Sequence, residues 1–246
     1  MKDLLLVVPS RGRPGNIKRL FDAMQATCRG DTSIIVGLDD DDPSLSDYLA
    51  ATPLSYTVQT GLRQVVAWIN RLAVPQAENY RYIGHVGDDN TFDTVGWDVS
   101  IMEALEKTPF AFGNDHYPRP PGQLCCHVFM RSEVVQRLGY FGPPGIRHMY
   151  VDVAWMAWGV KTGITYLHEV DIPHLHYTLT GQTDASYQAS TNLIPEDLEN
   201  WHRYCESGQL NTDIGQIDPG NPGFTPDELL AFNMGLNIPR HWGSWW

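Results

Sequence analysis

The sequence predicts an α/β protein built on an open, mostly parallel sheet flanked by helices. Three observations carry that expectation. Strand-like and helix-like stretches alternate as β-α-β-α-β-α-β-α up to Leu105. The principal strand candidates are short apolar runs, as expected for strands buried on both faces of a parallel sheet. Three of the four strand ends carry clustered charged residues, and sheets of this kind bind ligands beyond the carboxyl ends of their strands.

Leu4–Val8 is the first strand, broken by Pro9-Ser10-Arg11-Gly12-Arg13-Pro14. Helical spacing of Ile17, Leu20, Phe21 and Met24 predicts a helix over Asn16–Ala26. Ser33–Leu38 is a second apolar strand, ended by Asp39 to Asp42 and Pro43. Ser44–Ala51 reads as a short helix and Tyr56–Gln59 as a weak third strand. Leu62–Leu72 reads as a helix with Val65, Val66, Ile69 and Leu72 inward. Tyr80–Val86 is the fourth strand, and Thr94–Leu105 a helix around Trp97 and Ile101.

The second half is less regular. Phe110–Phe112 and Cys126–Met130 read as strands around a Pro/Gly-rich loop. Ser132–Leu138 reads as a helix with Ser132 as its cap. A Gly/Pro-rich loop over Gly139–His148 leads to a helix over Val151–Gly159. Ile164–His168 and Val170–Ile172 are short strands before Pro173-His174-Leu175-His176. The expected division is a domain over 1–180, split near 105 into two halves, and an irregular extension over 181–246 packed on it. That extension carries short helices over Pro195–Glu206 and Pro226–Asn233, the second headed by Thr225-Pro-Asp-Glu228. The closing Trp242-Gly-Ser-Trp-Trp246 is expected to pack against the body.

The chain has 246 residues, 42% hydrophobic and 19% charged, as in a globular protein. A formal net charge of −12 argues against a free nucleic acid partner, which needs a Lys/Arg surface. The four cysteines lack CxxC spacing, which speaks against a zinc site or a disulfide framework. No apolar run suits a signal peptide or a membrane span, so the expected location is cytoplasmic.

The charged clusters carry the chemistry. Asp88 and Asp89 follow a buried strand, where adjacent like charges need a counter-charge. Mg²⁺ or Mn²⁺ bridging a diphosphate supplies one; capping of the turns over Thr91–Thr94 is the structural alternative. Among the acids 39–42, Asp41 and Asp42 suit a turn and the helix cap after it. Asp39, nearest the strand, is placed to accept hydrogen bonds from a nucleobase or ribose. Arg11 and Arg13 lie between a strand and a helix start, where an anion finds guanidinium and backbone donors. Arg63, at the next helix start, adds to them. Alternation along a strand puts His174 and His176 on one face, where one can complete a metal sphere with Asp89, as Mn²⁺ tolerates. Asp152 opens an apolar helix, either as its cap or as a general base. Trp97 and Trp155 read as core residues or as platforms for sugar rings.

With these residues in this order, the chain resembles glycosyltransferases of the GT-A (Rossmann-like) fold, the family-two-like nucleotide-sugar transferases, in a form similar to small phage-encoded members. The likeness runs over about residues 3 to 178. It implies that Val8-Pro9-Ser10-Arg11-Gly12-Arg13-Pro14 contacts the nucleotide and that Asp39 reads the base. It implies that Gly61 through Asn70 lies near the pyrophosphate. Gly87-Asp88-Asp89 matches the DxD metal motif with glycine in its first place, so Asp89 is the expected ligand and Asp88 a weaker one. His176, or His174, matches a later histidine that some members use as a metal ligand, and Asp152 falls where the catalytic base is often placed. The implied cofactor is Mn²⁺ or Mg²⁺ and the implied donor a UDP- or GDP-sugar. The acceptor side is expected at Asn114, Asp115 and His116; in a phage-like setting the location is the host cytoplasm. Two rival functions are a nucleotidyltransferase, which lacks its Gly-rich phosphate loop here, and a non-catalytic nucleotide- or carbohydrate-binding module.

Overall fold

Leu4, Leu5, Leu6, Val7 and Val8 are all fully buried, so the first strand has core on both of its faces. The structure, a computed structural model, describes residues 2–51, 54–60, 62–117, 120, 122–124, 126–176, 181 and 185–238. Gly61, Cys125 and the closing Trp242–Trp246 segment lie outside the described residues. The strands are β1 (Lys2–Ser10), β2 (Thr32–Asp39), β3 (Ser55–Gln59), β4 (Tyr80–His85), β5 (Phe110–Asn114), β6 (Val128–Arg131) and β7 (Ile164–Asp171). They form one sheet in the order β3-β2-β1-β4-β6-β5-β7. Every neighbouring pair is parallel except the two that involve β6, which runs opposite to β4 and β5.

Alternate side chains of β1 feed two cores. Leu5 and Val7 pack with helices α3 (Val65–Ala73), α5 (Ser132–Leu138) and α6 (Val151–Thr162). Leu4, Leu6 and Val8 pack with α1 (Pro14–Thr27) and α4 (Trp97–Leu105) on the other face. Trp97 and Trp155 are almost wholly buried, which gives them to the cores and leaves no ring face for a sugar. A short helix α2 (Leu45–Ala51) follows β2.

The residues after Gly181 are more regular than their composition predicts. They hold α7 (Ala185–Asn192), α8 (Ile194–Glu206), α9 (Gln209–Ile217) and α10 (Pro226–Gly235). The predicted capping box at Thr225 and Glu228 is present. Leu198, Trp201, Leu210 and Ile214 join the core under α6. Among the described residues, no helix is long and apolar enough to cross a membrane.

Four local expectations need correction. Helix α3 starts at Val65 because Arg63 is left-handed, at φ 37°, and Gln64 is extended. Ser132 does not cap α5: Arg131 takes the cap position, and the Ser132 hydroxyl is buried without a hydrogen-bond partner. The two strands read at 164–172 are one strand, with a register irregularity against β5 at Gly113/Asn114. Thr94 lies in the turn before α4, which begins at Trp97 behind a left-handed Gly96.

Candidate active site

The chain runs β1, β2, β3 outward to one edge, then returns past β1 to place β4 on its other side. That reversal opens a crevice between the carboxyl ends of β1 and β4, the place where open α/β sheets hold ligands. Arg13, Asp88 and Asp89, which the sequence singles out, meet there with Ser10, Tyr48 and Tyr187.

Ser10, the last residue of β1, donates its hydroxyl to Asp88 Oδ2 at 2.6 Å. Arg13 Nη1 lies 3.0 Å from Asp88 Oδ1 and 3.8 Å from Asp89 Oδ2. Tyr48, fully buried on α2, braces this turn. Its hydroxyl accepts the Arg13 amide N–H at 2.7 Å and lies 2.8 Å from Ser10 Oγ. Asp42 accepts the Gly12 amide with one oxygen and the Ser44 amide with the other. The expectation that Asp42 starts the α2 turn therefore holds. Asp41 instead faces Arg11 and Arg63 as their ion-pair partner, because both guanidinium groups converge on it.

The two carboxylates of the pair differ in environment. Burial, with Asp89 beside it, pushes Asp88 up to about 6 against the pull of Arg13. Burial acts on Asp89 too, but hydrogen bonds from His174 and Tyr187 and the Arg13 charge outweigh it and hold Asp89 below the ordinary carboxylate range. His174 Nε2 is 3.2 Å from Asp89 Oδ1, and the Tyr187 hydroxyl donates to Asp89 Oδ2. Gly87 explains itself here. A Cβ at that position would lie 2.6 Å from Asp89 Oδ1, so a larger residue would push the Asp89 carboxylate from its place.

His174 and His176 do sit together, with ring centroids 5.2 Å apart. The cause is not strand alternation, since β7 ends at Asp171. His174 bridges Asn90, and a tight turn follows in which the His176 amide donates to the His174 carbonyl at 2.7 Å. Tyr117 packs on both rings, at 6.2 and 5.2 Å.

Asp39 is nearly inaccessible and engaged by protein donors. Oδ1 accepts the Arg63 amide at 3.1 Å and the Trp68 indole N–H at 3.0 Å, and Oδ2 pairs with Arg11 at 3.1 Å. Asn70 is likewise occupied: its amide bonds the backbone of Phe141 and Gly142 and ties α3 to the loop before α6. Pro9 pairs with Gly37 inside the sheet. Asn114 and His116 both reach Asp171, at 3.2 and 2.7 Å, and the Asp115 carbonyl accepts the His174 amide. A small pocket lies alongside, walled by Phe112, Asp115, Tyr117, Leu124 and Tyr166. Asp152 stands in the first turn of α6 and accepts the Val153 amide. Trp155, one turn on, stacks obliquely 5.6 Å from His85, which brings the start of α6 to the end of β4.

Sequence reasoning missed Tyr48, His148, Tyr187 and Asp197, and reached Ser10 only as part of the segment 8–14. Asp197 is fully buried and accepts the backbone N–H groups of Arg147, His148 and Met149, so it shapes the loop into α6. A lone acid on a helix gives no signal of such a role. Ser10 had one, as the residue between a strand and the arginine pair.

No protein-family model and no curated protein sequence matches the chain. Solved structures do. The S. aureus TarS fragment 1–349 in complex with UDP-GlcNAc matches with a TM-score of 0.59 at 11% identity, over 96% of this chain and 72% of that one. The mannosyltransferase PcManGT from Pyrobaculum calidifontis, in complex with GDP-Man and Mn²⁺, gives 0.58 at 11% identity, over 98% and 83%. Glucosyl-3-phosphoglycerate synthase from Mycobacterium tuberculosis, in complex with Mn²⁺, UDP and phosphoglyceric acid, gives 0.55 at 10% identity, over 81% and 78%. Against a longer S. aureus TarS structure the chain spans about half the length, 49%, at a TM-score of 0.55. The chain has the GT-A fold.

Within this GT-A fold the donor set suits one kind of cation. Among the described residues, no three His, Cys, Asp or Glu side chains converge as a ready-made metal cage. Asp89 and His174 nonetheless meet at the crevice, and His174 Nδ1 is buried without a hydrogen-bond partner. One carboxylate and an imidazole are enough for a cation that arrives on phosphate oxygens and keeps its waters.

Proposed function

We propose that the chain is a glycosyltransferase that moves a sugar from a nucleoside diphosphate sugar to an acceptor hydroxyl. The observation that carries this reading is the meeting of Arg13, Asp88, Asp89 and His174 at the β1/β4 crevice of a GT-A sheet. The fold neighbours bind UDP-GlcNAc, GDP-Man or UDP, which supports a UDP- or GDP-sugar donor.

Arg13 and Arg11 hold the diphosphate by charge and hydrogen bonds. Asp39 acts indirectly: by fixing the Arg63 amide and the Trp68 indole it shapes the floor on which the nucleoside lies. Asp89, with His174 or His176, would hold Mn²⁺ or Mg²⁺, which would supply positive charge to stabilise the leaving diphosphate. The acceptor oxygen bonds to the anomeric carbon as that carbon's bond to the β-phosphate oxygen breaks. The nucleoside diphosphate leaves with the electron pair, and Asp152 takes the acceptor's proton. Three of the four non-glycine residues with positive φ among those described, Arg63, His116 and Tyr150, lie in or beside this set. Backbone strain of that kind gathers at functional sites.

The test is a thermal-shift and turnover screen of UDP- and GDP-sugars with Mn²⁺. The expected result is stabilisation that needs both nucleotide and metal, with nucleoside diphosphate released and both effects lost in Asp89→Ala. Full turnover in EDTA, or no response to any nucleotide sugar, overturns the reading.

A further inference from the structure

Helix α7 reaches the crevice from outside the sheet. Its Tyr187 hydroxyl donates to Asp89 Oδ2. The same ring lies under the Arg13 guanidinium, 4.5 Å from the centroid, and meets His176 edge-on at 5.1 Å. Three residues on, and therefore on the same side of the helix, Ser190 Oγ sits 3.0 Å from His148 Nδ1. His148 belongs to the loop that Asp197 holds from below. Two clips thus seat α7 on the crevice, and the first of them lands on Asp89 Oδ2, 3.8 Å from Arg13 Nη1.

A phenol hydroxyl that donates to a carboxylate oxygen occupies one of the lone pairs through which that oxygen would hold a cation. The Arg13 and His176 contacts hold the ring there even though that placement opposes a cation. We infer that Tyr187 competes with the divalent cation for Asp89 and guards the site against metal that arrives without a nucleotide. This rests on the reading of Asp89 as a metal ligand. When Asp89 turns to a cation, the Tyr187 hydroxyl is released beside Arg13, where it becomes a donor to the diphosphate. Tyr187 is in this sense a positioning residue: it sets the order in which metal and nucleotide enter, and takes no part in bond making.

The experiment is titration of the full chain with Mn²⁺ alone, with free Mn²⁺ read by electron paramagnetic resonance and folding checked by circular dichroism. Tyr187→Phe keeps the ring and removes the competing hydroxyl, and is expected to bind Mn²⁺ at least about fivefold tighter than wild type. Ser190→Ala loosens the second clip and shifts affinity the same way by a smaller factor. Asp89→Asn abolishes the binding in every background. Equal Mn²⁺ affinity in wild type and both variants, with Asp89→Asn still abolishing it, overturns the guard and leaves the metal site standing. Binding that persists in Asp89→Asn, or is absent from every variant, overturns the metal reading and the guard with it.

Discussion

Arg13 Nη1 stands 3.0 Å from Asp88 Oδ1, across the crevice between β1 and β4. Both groups are largely buried, at 14% and 7% side-chain exposure. The pair closes the sheet reversal, and with Ser10 it turns Asp88 into a strut between two strands. Asp89, one residue on, keeps the position that faces the crevice.

Arg13→Ala leaves two adjacent carboxylates without that counter-charge. The expected loss is about 3 kcal/mol of folding stability, read from urea unfolding. Adding Asp88→Asn to Arg13→Ala removes one of the stranded charges and is expected to recover part of the loss. A double-mutant cycle with no recovery would show that the ion pair is not the source.

His85 predicts an acid-side loss of stability. Burial lowers its imidazole to about 4, while Val7 O faces Nδ1 at 3.1 Å. The fold therefore favours the neutral ring. Its contribution is complete above the unfolded value of roughly 6.5 and is lost as pH falls from there toward 4. Near pH 5 the deficit from this one group is about 2 kcal/mol. Thermal unfolding followed from pH 7 to 5 checks this, with His85→Gln expected to flatten the slope.

Asp197→Ala removes the acceptor for three backbone N–H groups at 147–149. A destabilisation of about 3 kcal/mol is expected from the orphaned buried donors. Hydrogen exchange over 147–153 should accelerate with it. The exposed Asp227→Ala is the control, expected to stay within about 0.5 kcal/mol of wild type.

Much of this was legible in the sequence because the central strands are unambiguous. Leu4–Val8, Ser33–Leu38 and Tyr80–Val86 are apolar runs ended by charge, so both the parallel sheet and its ligand edge follow from them. The pairing of Asp88 with Ser10 was not legible. It depends on β4 lying beside β1, which is a fact of topology and not of local pattern. Helix α9 carries a helical spacing at Leu210, Ile214 and Ile217, but α7 is polar with little periodic apolar signal, and tertiary packing decides it. Tyr187 was invisible for that reason, although it touches Asp89, Arg13 and His176.

Asp152→Asn keeps the shape of the α6 start and removes the proposed base. The expected outcome is a fall in turnover of about 10²- to 10⁴-fold with nucleotide affinity unchanged, measured by product release and by calorimetry. A fall in affinity with turnover preserved would assign Asp152 to donor binding.

Because β6 runs against its neighbours, the connection from Asn114 to Val128 begins and ends on the same rim of the sheet as Asp39, Asp89 and His174. The strands on either side are joined through their own hydrogen bonds and do not depend on that connection for register. Its two ends are nonetheless tied down: the Asp115 carbonyl accepts the His174 amide, Tyr117 packs on His174 and His176, and the buried His127 Nε2 accepts the Gly113 amide. A library varied between residues 118 and 126, with Asp115, Tyr117 and His127 kept, would leave the contacts to His174 and His176 in place and, on the proposed reading, sample acceptor preference.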